Sequence, residues 1–139
     1  MIVLDTNVLS EALRPSPSSK VLCWLAAQEP VAIYITAITV AELLYGVEIL
    51  PSGTRRVRLA AAVDKIFREE FPGRILPFDE DAARLFPVVV AARQARGRPI
   101  AQFDAVIAAI ARSRRAAVAT RNTKDFEGCG IRLVNPWSE

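Results

Sequence analysis

Met1-Ile2-Val3-Leu4-Asp5-Thr6-Asn7-Val8-Leu9-Ser10-Glu11 opens the chain, and its order of residue types decides the fold class. Ile2 to Leu4 is a short apolar run suited to a buried strand. Thr6 to Leu13 takes up helical spacing and stops before Pro15 and Pro17, which cannot continue a helix. Asp5 stands between the two, at the carboxyl end of the strand. The same alternation repeats along the chain. Ser18 or Ser19 caps a helix through Trp24 toward Gln28. Val31 to Thr36 reads as a strand, and Ala37 to Leu50 as a helix broken by Pro51 and Gly53. Thr54 to Phe71 is a charged amphipathic helix with Leu59, Val63, Ile66 and Phe67 on one stripe. Arg74 to Pro77 is a short strand. Asp79 caps a helix that ends at Gly97, with Pro87 predicted to kink it or mark a restart. Ala101 to Arg114 is a further helix, and Ala116 to Ala119 and Ile131 to Val134 are the last strands. Strands alternating with helices imply a mostly parallel sheet covered on both faces, within one domain over residues 1–139. Sites in such sheets lie beyond the carboxyl ends of the strands.

Composition narrows the chemistry. The 139 residues are 52% hydrophobic but only 7% aromatic, which suits helices packed on a buried sheet. No apolar run is long enough to span a bilayer. The first one stops at Asp5 without the features of a signal peptide, so the expected location is cytoplasmic. There is no histidine. That excludes Ser-His-Asp and Cys-His schemes and every His-ligated metal. Cys23 and Cys129 are too few for a zinc site and read as buried or half-buried free thiols. Catalysis would have to run on carboxylates, hydroxyls, amides, Arg or Lys. Oxygen ligands alone point to a hard cation, Mg²⁺ or Mn²⁺. The net charge of +3 favours anionic partners such as nucleic acid.

Four acids fall just after strands or at helix starts. Asp5 follows the first strand and doubles as a helix cap. Glu42 lies early in the helix after the second strand, and Thr39 to Glu42 also fits a capping box. Asp104 interrupts an otherwise apolar stretch from Ala101 to Ala111, where a buried carboxylate needs a cation or donors. Asp125 follows the strand at Ala116 to Ala119, in a segment that reads equally as an Asx-rich turn. Carboxylates gathered on one edge repel unless a divalent cation is present, and such a cation suits phosphodiester hydrolysis. A phosphoaspartate phosphatase or receiver domain also places an Asp after its first strand. The phosphatase pattern needs a second Asp where this chain has Asn7, and Lys124 fits the receiver poorly.

The chain resembles PIN-domain proteins, and within them the toxin nucleases of VapBC-type toxin–antitoxin pairs, FitB-like members included. The likeness runs from the opening stretch through Ile38-Thr39-Val40-Ala41-Glu42-Leu43 and Gly46. It continues through Arg74 to Asp79, Gly97-Arg98-Pro99-Ile100 and Asp104 to Ala109, then Ala119 to Phe126 and Asn135-Pro136-Trp137. The resemblance implies a PIN-like three-layer α/β/α sandwich and a metal-dependent endoribonuclease. It implies Asp5, Glu42 and Asp104 as metal-site acids. Asp125 is implied as a ligand, a water-mediated ligand or a loop acid, because some members carry the fourth acid where this chain has Asn122. Thr6, Asn7, Thr120 and Asn122 match its polar support positions. It further implies a homodimer, and higher assembly with a cognate antitoxin that inhibits the site and supplies the operator-DNA-binding domain. An inactive PIN scaffold that binds RNA or an antitoxin is the alternative.

Arg112, Arg114, Arg115 and Arg121 are expected near the acidic edge, where Arg112, Arg115 and Arg121 would hold an RNA backbone. Arg55, Arg56 and Arg58 read as a solvated face. Leu9, Leu13, Leu44 and Val47 are either an apolar groove for the antitoxin arm or core residues. Trp24 and Trp137 read as packing residues.

Overall fold

The computed structural model describes residues 1–139. Five strands form the sheet: β1 (Ile2–Leu4), β2 (Ile33–Thr36), β3 (Ile75–Leu76), β4 (Ala117–Ala119) and β5 (Leu133–Val134). Their spatial order is β3-β2-β1-β4-β5, and every pair is parallel. Seven α-helices surround the sheet: α1 (Thr6–Ala12), α2 (Ser19–Ala26), α3 (Ala37–Glu48), α4 (Thr54–Lys65), α5 (Glu80–Ala95), α6 (Gln102–Ser113) and α7 (Thr123–Phe126).

Strand alternation assigns the two faces. Leu4, Ile33, Ile35 and Ala119 point one way, into a core closed by Val8, Leu9, Val21, Leu43, Val47 and Val63 from α1 to α4. Val3 and Val118 point the other way, onto Ala82 and Val89 of α5 and Val106, Ile107 and Ile110 of α6. Cross-strand register pairs Val3 with Val118 and Leu4 with Ala119, so each core is continuous across the sheet. A one-residue slip of β1 would exchange its two faces. Helices on both faces explain why these strands are apolar throughout rather than alternating with polar residues.

Several boundaries depart from expectation. Pro30 opens a 3₁₀ turn over Pro30–Ala32, so β2 begins at Ile33 rather than Val31. The helix expected to reach Phe71 ends as α at Lys65 and continues as a π-turn, Ile66–Glu70. Pro87 does not break α5, which runs unbroken with Pro87 exposed and Ala82, Val89 and Arg93 buried. Cys129 is buried, as read from the sequence, but Cys23 is exposed on α2.

Candidate active site

β1, β2 and β4 are neighbours in the sheet and each is followed directly by the turn into a helix. Asp5 continues the β1 ladder, its N–H donating to the Ala119 carbonyl at 2.9 Å, and then caps α1. One carboxylate oxygen accepts the Thr6 N–H at 2.8 Å and the other the Thr120 hydroxyl at 2.8 Å. Asp5 is only 7% exposed and Thr120 is fully buried. Thr36 caps α3 through the Thr39 N–H at 3.3 Å. This cap sets the first turn of α3 so that Glu42 faces α1. The Thr6 hydroxyl donates to Glu42 at 2.7 Å and lies 2.9 Å from the Thr39 hydroxyl. Thr120 also accepts the Asn7 amide at 3.3 Å and the Asn122 N–H at 3.0 Å. All four residues expected as polar supports therefore join the network that orients Asp5 and Glu42.

Asp5, Glu42 and Asp104 line one open cleft of about 440 Å³, together with Thr6, Asn7, Asn122 and Arg121. Asp104 reaches it from the first turn of α6. Its carboxyl is pushed up to about 6, first by burial and then by the charges of Asp5, Asp125 and Glu42, with Arg93 pulling the other way. Burial likewise raises Asp5, although Thr120 and Thr6 donate to it. Asp125 is exposed in α7 and does not line the cleft, yet its charge is felt by both Asp5 and Asp104.

The segment that carries Asp125 is pinned from below. Arg93, 4% exposed, donates to the carbonyls of Asp125 at 2.7 Å, Glu127 at 2.9 Å and Arg98 at 2.7 Å. A planar guanidinium with five donors can hold several carbonyls at once, which an ammonium on a single stem cannot match.

Asp5, Glu42 and Asp104 are a hard, oxygen-only donor set. No group of three stands at the spacing that would enclose an ion unaided. Mg²⁺ is commonly held by one or two carboxylates with water completing its shell. The open cleft leaves room for that water. The raised carboxyls show what a cation would relieve.

Four cleft residues escape the sequence reading: Ser10, Glu11, Arg14 and Trp137. Ser10 and Glu11 follow Asn7 at three- and four-residue steps on α1, a spacing open to reading, and Arg14 lies just past the helix end. Glu11 is an acid of another kind. It accepts the Ser18 N–H at 3.1 Å and pairs with Arg14 at 3.4 Å. The Ser18 N–H, more than Arg14, holds its carboxyl below the usual range. Trp137 packs against the core as expected, but it also forms the cleft rim, with the Arg121 guanidinium 5.3 Å over its ring. Nothing in its spacing signals that position.

The expected placement of Arg112 and Arg115 is corrected. Arg121 lies on the acidic cleft, but Arg112 and Arg115 line a concavity with Met1 and Ala117 at the amino end of the sheet. Asp104 and Arg112 sit at the two ends of α6, so the helix itself carries the arginine away from the acids. Of the candidate groove residues, Leu9 and Val47 are buried in the core, and Leu44 is exposed. Leu13 lines an apolar groove between α1, α3 and α4, with Leu43, Leu50, Leu59, Arg55 and Arg58.

Comparison with known proteins bears on this arrangement. The PIN domain model matches residues 2–128. The chain is 42% identical to a VapC ribonuclease of Sinorhizobium fredii, over 99% of this chain and 98% of the other. It is 40% identical to the toxin FitB of Neisseria gonorrhoeae over the full length of both. Among solved structures, FitAB bound to a DNA fragment superposes with a TM-score of 0.94 at 40% identity, covering 99% of this chain and 96% of the other. The chain belongs to the PIN-domain family, among its VapC- and FitB-like toxins.

Proposed function

We propose that this chain is a divalent-metal-dependent endoribonuclease, the toxin of a toxin–antitoxin pair, acting through one domain over residues 1–139. The observation that carries the metal dependence is the cleft where Asp5, Glu42 and Asp104 meet, with Asp5 and Asp104 both raised by burial and by their acidic neighbours. A bound cation would favour the ionised form of both carboxylates and offset their mutual repulsion. When bound, Mg²⁺ or Mn²⁺ supplies water activation and charge neutralisation for phosphodiester hydrolysis.

The chain's own residues do the rest. Thr120 and the Thr6 N–H fix both oxygens of Asp5. Thr6 holds Glu42 in its rotamer. Such supports keep ligands oriented whether or not the ion is present. Asp104, unrestrained by hydrogen bonds, would be free to turn toward a bound ion. Asp125 adds negative charge from α7 that both Asp5 and Asp104 feel. Arg121, steadied on Trp137, receives a phosphate at the cleft rim.

The partners follow from proteins similar to this one, which are named as a ribonuclease and a toxin and, in the FitAB structure, sit in a complex on DNA. The corresponding partner here is a cognate antitoxin that blocks the cleft and binds operator DNA. Its arm would enter along the groove of Leu13, Leu43, Leu50 and Leu59, which adjoins Glu42. The toxin is proposed to act in the cytoplasm as a homodimer. No helix is long and apolar enough to cross a membrane.

The test is cleavage of single-stranded and structured RNAs by purified protein free of antitoxin, in Mg²⁺, Mn²⁺ or EDTA. Metal-dependent cutting that disappears in Asp5→Ala is the expected result. Folded protein that cuts none of the RNAs in either metal, or cuts equally well in EDTA, would sink the proposal.

A further inference from the structure

The basic concavity at the amino end of the sheet has no part in the site described so far. It holds about 500 Å³ and is lined by Arg112, Arg115 and Arg132 with no acidic residue among its walls. None of the three forms a salt bridge, whereas nearby Arg114 is neutralised by Asp79 at 3.3 Å. Arg115 and Arg132 are exposed, and Arg112 reaches only the Cys129 carbonyl, at 3.5 Å. Arg112 lies flat over Gly130, where a Cβ would sit 3.1 Å from its guanidinium.

Arg115 adds an independent observation. It follows the end of α6, where the Ala116 N–H reaches back to the Ala111 carbonyl at 2.9 Å and closes the helix. Its φ is 55°, the left-handed region that glycine occupies without cost, and no other non-glycine residue in the chain adopts it. An L side chain there costs roughly 1 kcal/mol. The chain carries a charged side chain at a position where the backbone favours none.

The edge strand connects this concavity to the acidic cleft. Arg132 immediately precedes β5, and Trp137 of the cleft rim lies five residues later. Even fully extended, that segment spans no more than about 18 Å. An RNA strand with a phosphodiester in the cleft can therefore pass over the β5 edge of the sheet and reach the arginines within a few nucleotides.

We propose that Arg112, Arg115 and Arg132 form a second RNA-binding site, which holds the substrate's phosphate backbone at the end of the sheet opposite the cleft. It rests on the ribonuclease reading for the identity of the RNA. Its chemistry is backbone contact without base readout, so it contributes affinity and length preference rather than sequence choice.

The test uses Arg115→Gln/Arg132→Gln, two exposed positions whose side chains make no hydrogen bond or ion pair, beside the Arg115→Lys/Arg132→Lys variant. Binding of a labelled tRNA-length RNA and of a duplex DNA is followed by anisotropy in EDTA, where no turnover occurs, over a salt series. The Gln variant is expected to bind the RNA about ten-fold more weakly, with a salt slope lower by about 1.5, while the Lys variant keeps most of the affinity. In Mg²⁺, KM for the long RNA rises with kcat unchanged, and cleavage of an oligonucleotide too short to round the sheet edge is unaffected. Unchanged RNA affinity and salt slope would make these arginines a solvated helix end and overturn the proposal. So would an equal loss on the short substrate, or a loss confined to duplex DNA. If the wild-type protein cuts nothing, the ribonuclease reading fails, but the binding series in EDTA still decides whether the concavity holds RNA.

Discussion

Asp5, Glu42 and Asp104 stand at the carboxyl end of the sheet, and Arg112, Arg115 and Arg132 at the amino end, with β1, β4 and β5 running between them. One helix displays the contrast by itself: α6 has Asp104 in its first turn and Arg112 in its last. Both placements agree with the helix dipole, positive at the start and negative at the finish. The two ends nevertheless differ in energetic state. Arg115 and Arg132 are open to water, so their charges cost little desolvation. The acids are crowded and partly dry, and a helix start does not balance them, since the Asp104 carboxyl still rises to about 6. Dipole preference explains where each charge lies. The crowding of carboxylates at the acidic end sets it apart, and a cation bound there would relieve it.

The largest effect that would break this contrast is on activity. Asp104→Asn keeps the shape and removes the charge. RNA cleavage is expected to fall by more than about 100-fold, as for loss of a metal-site ligand. The same variant should raise Tm at neutral pH in EDTA, because one repelling charge is gone. A variant that retains activity, or loses both activity and stability, would place Asp104 outside the site.

Arg93 comes next. Arg93→Met removes the donor shared by the Asp125, Glu127 and Arg98 carbonyls. Part-buried carbonyls left without their partner cost about 1–3 kcal/mol each, and water entry returns part of it, so a net loss of about 3 kcal/mol is expected in urea unfolding. Release of α7 should also weaken Mn²⁺ binding measured by electron paramagnetic resonance. Lost stability with Mn²⁺ affinity intact would show that Asp125 does not bear on the ion.

A smaller effect is expected from pH. Asp104 binds its proton more tightly in the folded chain than its usual value of 3.8 allows, so the folded state holds a proton that the unfolded state has released. Stability in EDTA therefore falls as pH rises from about 4 through 6. A fully buried carboxyl moved that far would carry close to 3 kcal/mol; for half-buried Asp104, solvent screening reduces the expected fall to about 1 kcal/mol. Glu11, held below its usual 4.5, contributes the opposite sign and loses its part as pH falls. Urea midpoints at pH 4.5 and 7 measure the sum, and saturating Mg²⁺ should flatten the dependence. A slope identical in wild type and Asp104→Asn would remove Asp104 as its source.

Most of the architecture was legible because apolar runs bounded by Pro, Gly and capping residues leave few alternatives. The acids were legible for a related reason: Asp5 and Asp104 interrupt stretches that are otherwise apolar. What escaped depends on short elements or on three dimensions. The four residues of α7 are too few to show a period, so the segment of Asp125 read as a turn. Trp137 reaches the cleft through a tertiary contact with no sequence spacing behind it. The placement of Arg112 was legible and misjudged. It stands eight positions along α6 from Asp104, about 12 Å of rise, which carries it to the far side of a sheet whose strands run only two to four residues.

The smallest effect concerns the amino end alone and sharpens the contrast most. In an ordinary helical turn, Arg→Gly costs about 1 kcal/mol, because glycine gains freedom in the unfolded chain. Arg112→Gly, inside α6, should show that cost. At Arg115 the same entropy loss meets an opposing gain, since glycine relieves the left-handed backbone at φ 55°. The two nearly cancel, and Arg115→Gly is expected to leave stability within about 0.5 kcal/mol of wild type, while RNA affinity in EDTA drops. Unchanged stability with weakened RNA binding would show a side chain kept for its charge at a position the fold would give to glycine. A loss of 1 kcal/mol or more would mean that Arg115 packs into the α6 terminus and serves the fold. The amino end would then be structural, and the acidic cleft would be the only site that the sheet presents.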